Sequence, residues 1–260
     1  MVSILDLNIW NYNEPWAKRR EGIARAIREA APDLVTLQEV TYLTKYAQDP
    51  HTQADQIAAR LEGYRCVWQP AEYFVDQPRD AVRWEGVAIL SRLPIIDLRH
   101  LWVPRDLEDV RDSYQRVVLG ARVLTSTGPF WIFTTHLSLT WHAPERTILA
   151  VYRFVQETAA GEPFAITGDF NAHPDHPWIR FLVGQETLEG QTGAWVDAWA
   201  AAHPGDPGYT AVAWEPYERI DYVLVPDAGM VRRITIAANR PDAEGIYPSD
   251  HLGLYAELLW

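Results

Sequence analysis

The stretch ITGDFNAHPDHP, residues 166–177, places Asp169 and Asn171 directly after a short apolar run. Asp and Asn favour turns because their side chains hydrogen-bond to the neighbouring backbone, so the stretch alone is compatible with an ordinary loop. A second interpretation is that a carboxylate and an amide stand at the end of a strand because both contact one ligand. The rest of the chain has to distinguish the two interpretations.

Short β-branched or aromatic runs recur along the chain and predict strands. They are VSILDLNIW from Val2, DLVTLQEV at 33–40, EGVAILSR at 85–92, QRVVLGARVLTS at 115–126, PFWIFTTHL from Pro129, PFAITGDF from Pro163, RIDYVLV from Arg219 and LGLYAELLW from Leu252. Amphipathic helical patterns lie between them, at 16–31, 52–61, 144–158 and 179–183. No linker or fixed repeat interrupts the alternation. The pattern predicts one α/β domain with mixed sheets over residues 1–260.

The composition is that of a globular protein. Apolar residues make up 48% and charged residues 22%, and no apolar run is long enough to cross a membrane. We find no signal peptide, and Cys66 is the single cysteine, so a cytoplasmic location is expected. The net charge of −12 argues against a protein that grips long stretches of nucleic acid, although it does not exclude a nuclease.

Twelve tryptophans are many for 260 residues. Large rings fill cores, and we expect most of these to do so. Trp141, Trp178 and Trp214 stand beside polar motifs, and the alternative is that they line the mouth of a site. The polar stretches 76–84 and 104–114 are typical of solvated loops, and the second is also a candidate lid over a cleft.

Several predicted strands end in residues that suit chemistry better than a core. Side chains from strand ends of an α/β sheet converge at one edge. The oxygen ligands of Asn8, Glu39 and Asp250 suit a hard cation such as Mg²⁺, and histidines nearby leave Mn²⁺ open. A histidine paired with a carboxylate would then manage protons.

The ordered series LNIW, LQEV, EGVAILSR, THL, GDFN, RIDYVL and SDH resembles the endonuclease/exonuclease/phosphatase superfamily over nearly the whole chain. The resemblance implies a four-layer α-β-β-α sandwich with two packed mixed β-sheets. It also implies divalent-metal-dependent hydrolysis of phosphoesters at one edge of the sheets. For Asn8, Glu39 and Asp250 it implies metal binding, directly or through water, with Glu39 as the principal ligand.

The same resemblance assigns the remaining roles. His251 would be the general base, oriented by Asp221. Asp169 and Asn171 would position the nucleophile and the scissile phosphate, which answers the question raised by their pairing. His136 would contact the phosphate or protonate the leaving oxygen. Glu85 stands where deoxyribonuclease-like members have a glutamate that holds this histidine. Arg116, in a looser match, resembles their phosphate-binding arginine.

The substrate is left open by the sequence. Glu85, His136 and Arg116 resemble the deoxyribonuclease-like branch, whereas LNIWN, GDFNAHP and RIDYVLV resemble the sphingomyelinase-like branch, which acts on a lipid head-group diester. A small soluble phosphoester is the third possibility. An inactive member that acts as a binding module is the alternative from another class, and no obligate protein partner is evident.

Overall fold

The computed structural model describes residues 1–43, 52–76, 81–108, 112, 114–138 and 145–260. The strands in chain order are β1 Val2–Asn8, β2 Leu34–Leu43, β3 Arg65–Asp76, β4 Ala81–Ser91, β5 Ile95–Trp102, β6 Val117–Thr125, β7 Gly128–His136, β8 Phe164–Asp169, β9 Thr187–Leu188, β10 Gln191–Thr192, β11 Val196–Asp197, β12 Asp221–Val225, β13 Val231–Ala237 and β14 Gly253–Leu258. The helices are α1 Trp16–Ala30, α2 Gln53–Ala58, α3 Glu145–Ala159, α4 Pro177–Leu182 and α5 Ala198–Ala202, with a 3₁₀ turn at Ala228–Met230.

Within the described residues the long strands form two six-stranded mixed sheets. The first sheet has the order β13-β14-β1-β2-β4-β3, and the second has the order β11-β12-β8-β7-β6-β5. Strands β1 and β2 are parallel, as are β7 and β8, and the other pairs are antiparallel. Each parallel pair is joined by a crossover that contains a long helix, which is the connection that parallel strands require.

Three apolar clusters hold the layers together. The cluster between the sheets includes Ile4 from the first sheet and Ile132 from the second. Alternate residues of β1 face the other way, and Leu5 packs with Ile23 of α1 on the outer face of the first sheet. Helices α3 and α4 cover the outer face of the second sheet. The predicted four-layer α-β-β-α sandwich is therefore confirmed.

The predicted helices lie close to the observed ones. Helix α1 ends where Ala31 adopts the left-handed conformation and its N–H bonds to the Ile27 carbonyl, one residue before Pro32. Helix α2 begins with a capping box in which Thr52 and Asp55 exchange side-chain-to-backbone hydrogen bonds. The sequence patterns missed β3, β5, β13, the two-residue strands β9, β10 and β11, and helix α5. Strands β3, β5 and β13 lie at the edges of the sheets, where mixed polar residues hide the alternation.

Two smaller predictions are settled by the structure, one by burial and one by strand pairing. Trp178 is only 3% exposed and belongs to the core beside α3, so it does not line a mouth. The polar stretch 76–84 is wrong as a loop over 81–84, because β4 begins at Ala81 and pairs with β3. Trp141 lies outside the described residues. No helix in the described part of the chain has the length and apolar character needed to cross a bilayer.

Candidate active site

The strand register brings three of the predicted residues into one row. His136 on β7 is the partner of Asp169 on β8, and Asp169 is in turn the partner of Asp221 on β12. Residues that face each other across neighbouring strands point to the same side of a sheet, so the three side chains lie next to one another. All three are buried, and His136 and Asp169 line a cleft of about 430 Å³.

Gly168 explains the first letter of the GDFN motif. Its φ is +136°, and a Cβ at this position would lie 2.0 Å from the Thr135 carbonyl oxygen. No larger residue fits so close to β7 without moving one of the two strands. Asn171 also adopts a positive φ, of 48°, as the chain turns away from β8. The motif is thus required both by the backbone and by the side chains that it presents.

His251 and Asp221 form a buried pair. Nδ1 of His251 lies 2.9 Å from Oδ2 of Asp221, which fixes the tautomer and leaves Nε2 toward the cleft. Burial alone would lower the pKa of His251, but the charges of Asp221, Asp169 and Asp250 outweigh it and hold the pKa well above its usual range. The pair is therefore strongly stabilised when the imidazole carries a proton.

Asp169 lies at the centre of the site. Its Oδ2 accepts a hydrogen bond from Asn8 Nδ2 at 3.0 Å, and it lies 3.6 Å from His136 Nε2 and 3.8 Å from His251 Nε2. Its Oδ1 accepts from the Asn171 backbone N–H at 2.9 Å. Burial and the charge of Asp221 raise the pKa of Asp169 to about 7. The carboxylate connects the histidines to the amide at the end of β1.

A bulge in β2 turns Glu39 into the site. The register with β4 shifts between Leu37 and Val40, and Glu39 has a φ of 55°. This left-handed conformation costs a non-glycine residue about 1–2 kcal/mol, and such bulges often direct a side chain into an active site. Oε1 of Glu39 accepts from Asn8 Nδ2 at 3.1 Å, and Oε2 accepts from Asn11 Nδ2 at 3.0 Å.

The residues on this side fit a divalent cation. Glu39 and Asp250 are close enough that the charge of Glu39, together with burial, raises the pKa of Asp250. The carboxylates are oxygen ligands of the kind that Mg²⁺ and Mn²⁺ prefer, and Asn8 orients Glu39 through its Nδ2–H. A second group, Asp169, Asp221 and His251, also brings potential ligand atoms within 4.8 Å of one another. In that group His251 Nδ1 is already bonded to Asp221, so the Glu39 side is the better cation site.

The opposite side of the cleft carries the positive charge. Arg116 Nη1 lies 4.0 Å from Glu85 Oε1, and Arg83 lines the same cleft. Burial, followed by the charges of Arg116 and His251, holds the pKa of His136 well below its usual value. His136 is therefore neutral at pH 7. Within the described residues no hydrogen bond joins Glu85 to His136, so the geometry places Glu85 beside the arginine instead.

Arg19 was missed by the sequence analysis, where it belongs to an ordinary basic stretch of a helix. It is 1% exposed and it donates five hydrogen bonds to backbone carbonyls. The acceptors are Ile9, Trp10, Asn11, Asn13 and Pro248. Burial lowers the pKa of Arg19 to about 10, so it remains charged at neutral pH. It ties the loop after Asn8 to the segment before Asp250.

A polar network between the sheets was missed as well. Asp6 Oδ1 accepts from Thr36 Oγ1 at 2.6 Å and from Gln38 Nε2 at 2.8 Å. Thr167 and Thr134 of the second sheet complete the network, at 2.7 Å from Thr36 and 2.9 Å from Gln38. Burial, aided by the charge of Asp221, raises the pKa of Asp6 from 3.8 to about 7. These hydrogen bonds fix the relative position of the sheets beneath the site.

Three further histidines, His142, His173 and His176, have no role in the predicted set. His173 Nε2 lies 3.4 Å from Glu218 Oε2, and the His176 ring accepts from the Trp178 backbone at the start of α4. His142 lies outside the described residues. In the segment 104–114, Asp112 accepts from the Asp106 backbone and from Ser138 Oγ, which anchors it near the end of β7.

The fold and the site define a class of protein, an α-β-β-α sandwich with carboxylates and histidines gathered at one cleft. The profile of the Endonuclease/Exonuclease/phosphatase family matches residues 7–251, and the chain belongs to this family. Members of the family are hydrolases of phosphoesters and generally depend on a divalent metal.

Individual proteins agree with this assignment. Nocturnin of Drosophila melanogaster is 26% identical over 287 residues, which cover 93% of this chain and 42% of that protein, so the chain spans less than half of this relative. A family protein from Leptotrichia buccalis has the same fold with a TM-score of 0.76 and 17% identity, over 100% of both chains. D. rerio TDP2 complexed with a single-stranded DNA product gives a TM-score of 0.69 and 18% identity, over 100% of this chain and 99% of that one.

Proposed function

We propose that residues 1–260 act as one catalytic domain, a divalent-metal-dependent phosphodiesterase that uses the His251–Asp221 pair to activate water. The observation that carries the proposal is the placement of this pair on one side of Asp169, with the acidic cation site formed by Glu39 and Asp250 beside it. His251, Glu39 and Asp250 thus border one cleft, and Asp221 lies behind His251. Nucleic acid or a small phosphoester is the substrate class that we favour.

Glu39 and Asp250, together with Asn8, are the residues that would hold the cation. A bound Mg²⁺ or Mn²⁺ supplies positive charge that offsets the charge developing on the phosphate. His251 must be neutral to accept a proton, and its pKa is raised in part by the charges of Asp169 and Asp250. When the charges of Asp169 and Asp250 are neutralised, the pKa of His251 falls and the imidazole is brought toward its neutral, base form.

The chain's own groups then account for the proton. Nε2 of His251 takes a proton from the attacking water as the new bond from oxygen to phosphorus forms and the bond to the leaving oxygen breaks. Nδ1–H stays bonded to Asp221, which stabilises the imidazolium. Asp169 and Asn171 orient the water and the phosphate. The remaining oxygens of the phosphate face His136 and Arg116.

The role of His136 follows from its neutral state. An imidazole whose pKa is well below 6.5 is neutral at pH 7 and can donate a hydrogen bond through its one N–H. Almost none of it is in the protonated form that could give a proton to a leaving oxygen. Stabilisation of a phosphate oxygen is therefore the better supported of the two roles suggested by the sequence. Arg116, which is charged and mostly buried, is suited to the same purpose.

The test is hydrolysis with Mg²⁺ or Mn²⁺ of duplex and single-stranded DNA, RNA, sphingomyelin vesicles and small phosphoesters. We expect one class to be hydrolysed by the wild type and to lose at least about 10²-fold in rate in His251→Ala. His100→Ala, at an exposed histidine on β5, is the matched control. Absence of hydrolysis on every probe, with no binding of either metal, would overturn the proposal in favour of a binding module.

A further inference from the structure

Two tryptophans are attached to the cation side of the site. The backbone N–H of Trp10 donates to Asn8 Oδ1 at 2.9 Å, and the guanidinium of Arg19 lies 5.0 Å from the centre of the Trp10 ring. Trp214 follows Ala213, whose N–H donates to the Asp250 carbonyl at 2.6 Å. Each ring therefore stands within two residues of a contact to a predicted cation ligand.

The loop that carries Trp214 is held firmly. Ala211 forms bridges to both Glu218 and His251, and the Leu252 N–H donates to the Thr210 carbonyl at 2.6 Å. Ala211 and Glu218 both line the catalytic cleft. The loop is thus a fixed wall of the cleft, and its outer residues are presented at the rim.

The rim is aromatic and exposed. Trp214 is 56% exposed and Tyr217 on the same loop is 61% exposed, whereas Trp131, Trp178 and Trp195 are each less than 5% exposed in the cores. The centres of the Trp10 and Trp214 rings lie 6.2 Å apart at an angle of 51°, so neither ring covers the face of the other. A large ring that is fixed in place and left open beside a site is a candidate surface for stacking.

We propose that Trp10 and Trp214 form a stacking platform for a planar aromatic group joined to the phosphate. A nucleobase and an aryl leaving group share this chemistry. The inference rests on the proposed function for the position of the phosphate, and it predicts a substrate that carries a flat ring next to that phosphate. Base–aromatic stacking needs no particular sequence, since every base has a flat face.

The test measures binding instead of turnover, so that it stands apart from hydrolysis. Adenosine monophosphate and ribose 5-phosphate share a phosphate and a sugar and differ in the ring. In the His251→Ala background with Mg²⁺, we expect adenosine monophosphate to bind about 10- to 100-fold more tightly, in keeping with 1–3 kcal/mol per stacked base. Phenyl phosphate against methyl phosphate repeats the comparison for an aryl group.

Trp214→Ala should remove most of this preference, and Trp214→Phe should keep most of it. Trp102→Ala, at a tryptophan of β5 that is 59% exposed, is the matched control and should leave the preference unchanged. A preference confined to adenosine monophosphate identifies a nucleobase, and one shared by phenyl phosphate identifies aryl groups in general. Equal affinities for the ring-bearing and ring-free ligands, or a preference that survives Trp214→Ala, would overturn the platform. Failure to hydrolyse any substrate would count against the proposed function alone.

Discussion

Nδ1 of His251 lies 2.9 Å from Oδ2 of Asp221, and both side chains are buried. Asp221→Asn keeps the size of the side chain and removes its charge, so the imidazole loses the group that fixes its tautomer and supports its protonated form. We expect kcat/KM to fall by about 10²- to 10⁴-fold. The acid side of the pH–rate profile, where the rate rises as His251 loses its proton, should move to lower pH, because the charge that raises the pKa of His251 is gone. An unchanged profile would mean that the base is another group.

Glu39→Gln tests the cation site with little change in shape. The wild type should melt at a higher temperature as Mg²⁺ or Mn²⁺ is added, because the ion binds the native state and relieves repulsion among the carboxylates. The variant should lose most of this increase, and its turnover should fall by several orders of magnitude. Glu29→Gln, at an exposed position on α1, is the control and should respond like the wild type. Melting and calorimetry with each metal provide the measurement.

Arg19→Lys tests whether Arg19 acts through its hydrogen bonds or through its positive charge. Lysine keeps the positive charge but cannot make the five hydrogen bonds that Arg19 donates, so the loop with Asn8 and Asn11 loosens. We expect weaker metal binding by about tenfold and a loss of about 1–3 kcal/mol in the free energy of unfolding, since buried carbonyls lose partners. Arg28→Lys, on the exposed face of the same helix, should change neither quantity. Equal metal affinities in the two variants would remove Arg19 from its positioning role.

Asp6→Asn should change the pH dependence of stability in the metal-free protein. The pKa of Asp6 is raised from 3.8 to about 7, so the folded protein holds the proton more tightly than the unfolded chain does. The carboxyl therefore destabilises the fold increasingly as pH rises from about 4 to about 7. Asparagine has no such titration, so the variant should be more stable than the wild type at pH 8, by on the order of 2–4 kcal/mol. At pH 4 the two should be similar, as measured by urea unfolding at both pH values.

The sequence predicted the residues that meet, because each of them follows a recognisable strand. Asp169 and Asp221 lie on β8 and β12, and the pairing of these strands brings the two carboxylates together. Glu39 was placed at a strand end, whereas the structure puts it on a bulge within β2, and a local shift of register leaves no mark in a pattern of apolar residues. The alternation of helices and strands predicted an α/β domain with mixed sheets, and the four-layer order came from the resemblance to the family.

Arg19 and Asp6 show what a pattern does not reveal. A charged residue in a helix is usually solvated, and only the fold decides that Arg19 meets the carbonyls of two distant loops. Asp6 alternates with apolar residues in β1, yet its hydrogen bond to Thr36 continues from Thr36 to Thr167 of the second sheet. These contacts join residues far apart in the chain, and one-dimensional periodicity carries no information about them.

The hydrogen bonds of Arg19 also join parts of the site that are made at different times during synthesis. The loop that it holds is made among the first residues, whereas Pro248, Asp250 and His251 are among the last of this stretch to be made. Strand β1 has to wait for β14 as one of its two neighbours, so the first sheet stays incomplete while translation of this region is under way. A nascent chain interrupted before this point would therefore carry Glu39 and Asp169 without Asp250 and His251, so the proposed site would be incomplete.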